Sequence, residues 1–113
     1  WDGAEESFVR DVAPARTWAL REEIEALWAA GLAKGGSLDC AVVLGPDGPL
    51  GRPLRFPDEP VRHKLLDLIG DLALLGALPA VRVEACAPFH GGNRTLACKL
   101  AEAARQAEKP SDA

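Results

Sequence analysis

The stretch Val61-Arg62-His63-Lys64-Leu65-Leu66-Asp67-Leu68-Ile69-Gly70-Asp71 constrains this chain more than any other, because it sets polar side chains at helical spacing inside an aliphatic run. Val61, Leu65, Leu68, Leu72 and Leu75 recur at the 3.6-residue period and form a stripe that must be buried. Pro60 suits a first helical position, Asp58 or Glu59 can face the unpaired N–H groups of the first turn, and Gly76 is a natural stop. The pattern predicts one helix from about Val61 to Leu75.

On another face of that helix His63, Asp67 and Asp71 fall at i, i+4 and i+8. An imidazole nitrogen and a carboxylate oxygen one turn apart can both approach a zinc ion to about 2.0–2.2 Å, with a third ligand and a water completing a tetrahedron. The same spacing serves an ordinary surface ion pair equally well.

At 113 residues the chain is expected to be a single domain with one modest core, its ends at 1–13 and 107–113 poorly defined. With 48% hydrophobic and 27% charged residues it has a globular composition. A net charge of -4 and the lack of any Lys/Arg cluster argue against a nucleic-acid partner. Cys40, Cys86 and Cys98 are odd in number and lack C-x-x-C spacing, so neither a disulfide framework nor a zinc knuckle is indicated. No run is long enough to span a membrane and no signal peptide is evident, so a cytoplasmic location with no transmembrane segment is expected. The start at Trp1 rather than Met suggests a fragment or a processed product.

In chain order, Trp1 to Ala13 reads as strand or coil, and Ala15-Arg16-Thr17-Trp18 as an extended segment in which Thr17 could serve as a helix N-cap. An amphipathic helix from about Leu20 to Ala30 turns Ile24, Leu27 and Trp28 inward and closes at Gly31. Gly35-Gly36-Ser37 is a turn into a buried strand, Leu38 to Leu44, and the Gly/Pro-rich Gly45 to Pro53 is a loop or hairpin end. After the main helix, Val81, Val83 and Ala85 alternate with Arg82, Glu84 and Cys86 as in a strand with one wet face. Pro88 to Asn93 is expected as a tight loop holding an exposed His90, with glycines that let a ligand approach the backbone. A last, alanine-rich helix is expected from about Thr95 to Gln106.

Read as a string, Leu54-Arg55-Phe56-Pro57-Asp58-Glu59-Pro60-Val61-Arg62-His63-Lys64 through Leu72 resembles the signature of the zinc-dependent UDP-3-O-acyl-N-acetylglucosamine deacetylases of lipid A biosynthesis (LpxC). Ala15-Arg16-Thr17-Trp18 and Gly35-Gly36-Ser37-Leu38-Asp39-Cys40-Ala41-Val42-Val43 are similar to that family's ARTF and GGSxDxAxV segments, and the His90 region is a third match. Together they run from about Ala15 to Leu100 and resemble only the C-terminal domain of the enzyme.

The resemblance implies an α+β fold, a small mostly antiparallel sheet with helices packed on one face, forming half of a two-domain sandwich. It implies Zn2+ as cofactor, held by His63 and Asp67, and hydrolysis of the N-acetyl amide of a UDP-linked acylated glucosamine. His90 would be the catalytic histidine, oriented by Asp71. Thr17 would lie beside the metal, Lys64 would contact substrate, and Trp18, Leu20, Ile24, Leu38 and Val43 would line a passage for the acyl chain. The last five are also what an ordinary core contains. The continuation after His90 departs from the family's HALN-type pattern and reads as a small insertion. The third zinc ligand and the glutamate base belong to an HVEH-type segment of an N-terminal domain, which this sequence lacks. An isolated chain is therefore expected to be nearly inert without that partner. The rival expectation is a non-enzymatic binding or regulatory half-domain that keeps the fold.

Overall fold

A computed structural model describes residues 1–35, 37 and 39–108. The chain is α+β and divides into two compact units, residues 1–63 and 64–113, with one helix, Glu59–Ala73, running through the boundary.

The first unit opens on a short helix, α1 (Glu5–Ser7), continued by a π-helical turn over Phe8–Val12, where strand or coil was expected. The cause is local: an Asp2 carboxylate oxygen accepts from the Ala4 N–H at 2.9 Å and from the Ser7 hydroxyl at 2.5 Å, and Trp1 packs edge-on to Phe8. Strand β1 (Thr17–Leu20) leads directly into helix α2 (Arg21–Ala29), which starts where Glu23 accepts the Leu20 N–H at 3.0 Å. The chain returns as β2 (Ala41–Gly45) and turns back as β3 (Gly48–Leu50). Among the described residues the strands form one sheet of order β1-β2-β3, with β1 and β2 parallel and β2 and β3 antiparallel. The sheet is therefore mixed, where a mostly antiparallel one was expected. Parallel pairing follows from the α2 crossover, which returns the chain to the starting edge before β2 begins. Helix α2 packs on β1 and β2, yet only Ile24 of its expected inner face is half-buried, and Leu27 and Trp28 are exposed. The unit's buried apolar residues are Val12, Ala15, Val42 and Val43.

Helix α3 (Glu59–Ala73) matches the expected span to within two residues at each end, and Gly76 takes φ +93° in the turn that follows. In the second unit Leu68 and Leu72 of α3 and Ala97 form a core, flanked by Leu75, Val83, Leu96 and Leu100. The alternating segment 80–87 forms no strand. Val83 packs against this core as the pattern required, but Val81 is exposed and no ladder is made. Alternation places side chains; only a neighbouring strand can complete the backbone bonds.

The last helix, α4 (His90–Ala107), starts five residues before the expected point. Gly91 and Gly92 are helical, and the ring of Phe89 lies across them: a Cβ on Gly91 would sit 2.8 Å from Phe89 Cε2. The glycines thus make room for a side chain of the same loop, in place of the ligand approach expected of them.

Candidate functional site

In the first unit the polar chemistry converges on Glu59, a fully buried side chain at the start of α3. Its Oε1 accepts the Arg16 backbone N–H and Nε, each at 2.9 Å, and its Oε2 accepts Arg16 Nη2 at 3.1 Å and the Arg55 backbone N–H at 2.8 Å. Arg16 Nη2 also donates to the Pro53 carbonyl at 2.9 Å. Burial works to raise the Glu59 carboxyl, but the bonds from Arg16 and Arg55 outweigh it and hold the group at about 2. Glu59 was expected to face the helix N-terminus; it faces the chain that enters β1.

One turn along α3, His63 Nδ1 lies 2.9 Å from the Ala15 carbonyl oxygen. A carbonyl only accepts, so Nδ1 carries a proton and donates it to this bond. Thr17 stands two residues after Ala15, exposed at the first position of β1 rather than at a helix N-cap. Trp18 is half-buried and pairs in register with Val42; Val43 is buried, Leu20 is exposed at the start of α2, and Ile24 is half-buried. Leu38 lies outside the described residues.

In the second unit Asp71 Oδ2 is 2.8 Å from His90 Nδ1 and accepts Asn93 Nδ2 at 2.9 Å. Burial pushes the Asp71 carboxyl up, and the bonds from Asn93 and His90 more than reverse this, leaving it below its ordinary value. Asp67 Oδ2 takes Lys64 Nζ at 3.2 Å and lies 3.9 Å from His90 Nε2. Lys64 therefore spans the turn to Asp67. His90 is the first residue of α4, with Phe89 as N-cap, and not a loop residue. With the helix starting there, Asn93 follows His90 by three residues, and that spacing brings its side chain onto Asp71. The sequence marks Glu59 only as a candidate, with Asp58, for the helix start, and marks neither Asn93 nor Arg16 for a role of its own. The i, i+3 spacing from His90 was the available signal for Asn93; no local pattern pairs Arg16 with Glu59, 43 residues apart.

Three successive turns of α3 thus carry His63, Asp67 and Asp71, as the period required. Among the described residues no three His, Cys, Asp or Glu side chains are grouped for a metal.

These features define an α+β chain in which a histidine at the start of one helix meets a carboxylate of another. Residues 1–102 match the family described as LpxC: UDP-3-O-acyl N-acetylglycosamine deacetylase. The chain belongs to that family. It is 50% identical over 105 residues to the UDP-3-O-acyl-N-acetylglucosamine deacetylase of Synechocystis sp., covering 93% of this chain and 38% of that protein. The namesake of Trichormus variabilis is 53% identical over 94 residues (83% and 34%), and that of Chlamydia felis 50% over 100 residues (87% and 35%). The chain spans about a third of the length of the curated relatives it matches. No described helix is long and apolar enough to cross a membrane.

Proposed function

We propose that this chain supplies part of the active centre of a cytoplasmic, zinc-dependent deacetylase that hydrolyses the N-acetyl group of UDP-3-O-acyl-N-acetylglucosamine in lipid A biosynthesis, releasing acetate. The observation that carries the reading is the His63 ring, whose Nδ1 is held by the Ala15 carbonyl, as expected of a histidine that ligates a metal through Nε2. His63 and Asp67 would hold the zinc, with the third ligand and the general base supplied by an N-terminal domain that packs with this one as a two-domain sandwich. When bound, zinc polarises a carbonyl and lowers the pKa of a coordinated water.

The chain's own groups do the rest. Asp71 orients His90 through Nδ1, so that Nε2 presents a proton to the leaving nitrogen. In the hydrolysis the general base of the N-terminal domain would take one proton from the water as its oxygen bonds to the acetyl carbon, the C–N bond breaks as the nitrogen takes a proton from His90, and the acid so formed gives its remaining proton to the free amine, leaving acetate. Thr17 would donate a hydrogen bond from its hydroxyl to the acetyl oxygen as charge develops there. Lys64, beside Asp67, would bind the substrate, and Trp18, Leu20, Ile24, Leu38 and Val43 its acyl chain.

The test is zinc content and acetate release by this chain with and without a separately expressed HVEH-bearing domain, in the wild type and in His63→Ala and Asp67→Ala. Stoichiometric zinc and activity that need the partner and vanish in both variants support the reading. Zinc indifferent to partner and variants removes it and leaves a binding half-domain.

A further inference from the structure

The most completely buried polar side chain in the described structure, Glu59, has no part in the chemistry above, yet it is tied to both neighbours of that chemistry. Four N–H groups converge on its two oxygens, three from Arg16 and one from Arg55. Arg16 stands between Ala15, whose carbonyl accepts from His63, and Thr17. Glu59 and His63 are separated by one turn of α3. The loop is closed by covalent geometry: the carboxylate fixes the Arg16 peptide against the first turn of the helix, and the preceding carbonyl is thereby held over the ring one turn on.

We propose that Glu59 and Arg16 are positioning residues, a buried latch that holds the Ala15 carbonyl against His63 and so sets its Nδ1–H tautomer and ring orientation. Salt-bridge formation is only part of the latch. Two of the four donors are backbone N–H groups, and these fix chain position where a side-chain pair alone would leave it free. A glutamine in place of Glu59 keeps the shape but turns an NH2 group toward one pair of donors, so at least one buried N–H loses its acceptor.

The inference rests on the reading of His63 as a metal ligand only for its consequence, and its first readout needs no metal. The chain has two histidines, so imidazole 15N shifts of the histidine-labelled full chain contain two ring systems, assigned with His90→Gln. The expected result is the Nδ1–H tautomer at His63 in the wild type. In Glu59→Gln and in Arg16→Lys, with circular dichroism unchanged, that preference is lost, and the affinity for zinc alone falls about 10–100-fold. Glu59→Asp, which keeps the charge and both oxygens, restores part of each. A wild-type His63 in the Nε2–H form overturns the latch, as does a folded Glu59→Gln or Arg16→Lys that keeps the wild-type tautomer. Tautomer loss in a chain that binds no zinc even with the HVEH-bearing domain added keeps the latch and removes the metal reading, so the two failures are distinguishable.

Discussion

The two units pair a carboxylate with a cationic or titratable side chain in opposite ways. In the first, Arg16 and Glu59 are 6% and 0% exposed, and every oxygen of the carboxylate is occupied by N–H groups of its own unit. In the second, His90 is 69% and Asp71 22% exposed, and both bonds fall on one oxygen of Asp71. The buried pair cannot exchange its partners without opening the fold, so it positions chain. The exposed pair keeps an imidazole at the surface, where it can give up or take a proton. Burial decides which job a carboxylate can do: desolvation makes the loss of one partner costly in the first place and cheap in the second.

The comparison breaks most visibly at Glu59. Glu59→Ala leaves a buried guanidinium and two backbone N–H groups without their acceptor, and denaturant unfolding should show a loss of about 3–5 kcal/mol. A loss below 1 kcal/mol would place the pair with ordinary surface bridges. Acid tests the same group without a mutation. Glu59 titrates at about 2 when folded against an ordinary 4.5, so the unfolded chain takes up the proton first. Its contribution, on the order of 3 kcal/mol, is fully present above pH 4.5 and is lost as pH falls toward 2. Asp71, also lowered, adds to the same acid sensitivity, and the Glu59→Gln chain should show a flatter stability profile over that window.

In the second unit the effects are smaller. Asn93→Ala removes a buried donor to Asp71 and should cost about 1–2 kcal/mol, whereas His90→Gln at the exposed end should change stability by less than about 1 kcal/mol. Equal costs for the two would mean that the dyad is as structural as the latch. The smallest effect concerns Phe89. Gly91→Ala meets the Phe89 ring, so any gain in helix propensity, up to about 1 kcal/mol, should appear only in a Phe89→Ala background. A thermal-melt cycle over the four chains checks this.

The two regions were also unequally legible. The apolar stripe of α3, its stop at Gly76 and the His63, Asp67, Asp71 spacing could be read directly, because a helix repeats every 3.6 residues and writes its faces into the sequence. The family resemblance carried by the Ala15, Gly35 and Leu54 segments and the His90 region runs from about Ala15 to Leu100, within the residues 1–102 that the family matches. Where two segments must meet, periodicity carried less. Segment 80–87 alternates like a strand, and only Val83 found a core to face. The glycines after His90 read as a loop until Phe89 is seen lying across them.

By itself, then, the sequence determined which residues ride on α3 and, to within two residues, where that helix ends, since these follow from local periodicity and backbone preference, while the α+β fold was implied by the family resemblance. Tertiary structure alone decided the parallel pairing of β1 with β2, the early start of α4 that brings Asn93 to Asp71, and the meeting of Arg16 with Glu59. Each of these depends on groups distant in sequence whose pairing is selected by burial, because a polar group removed from water must find its partner wherever the fold supplies one.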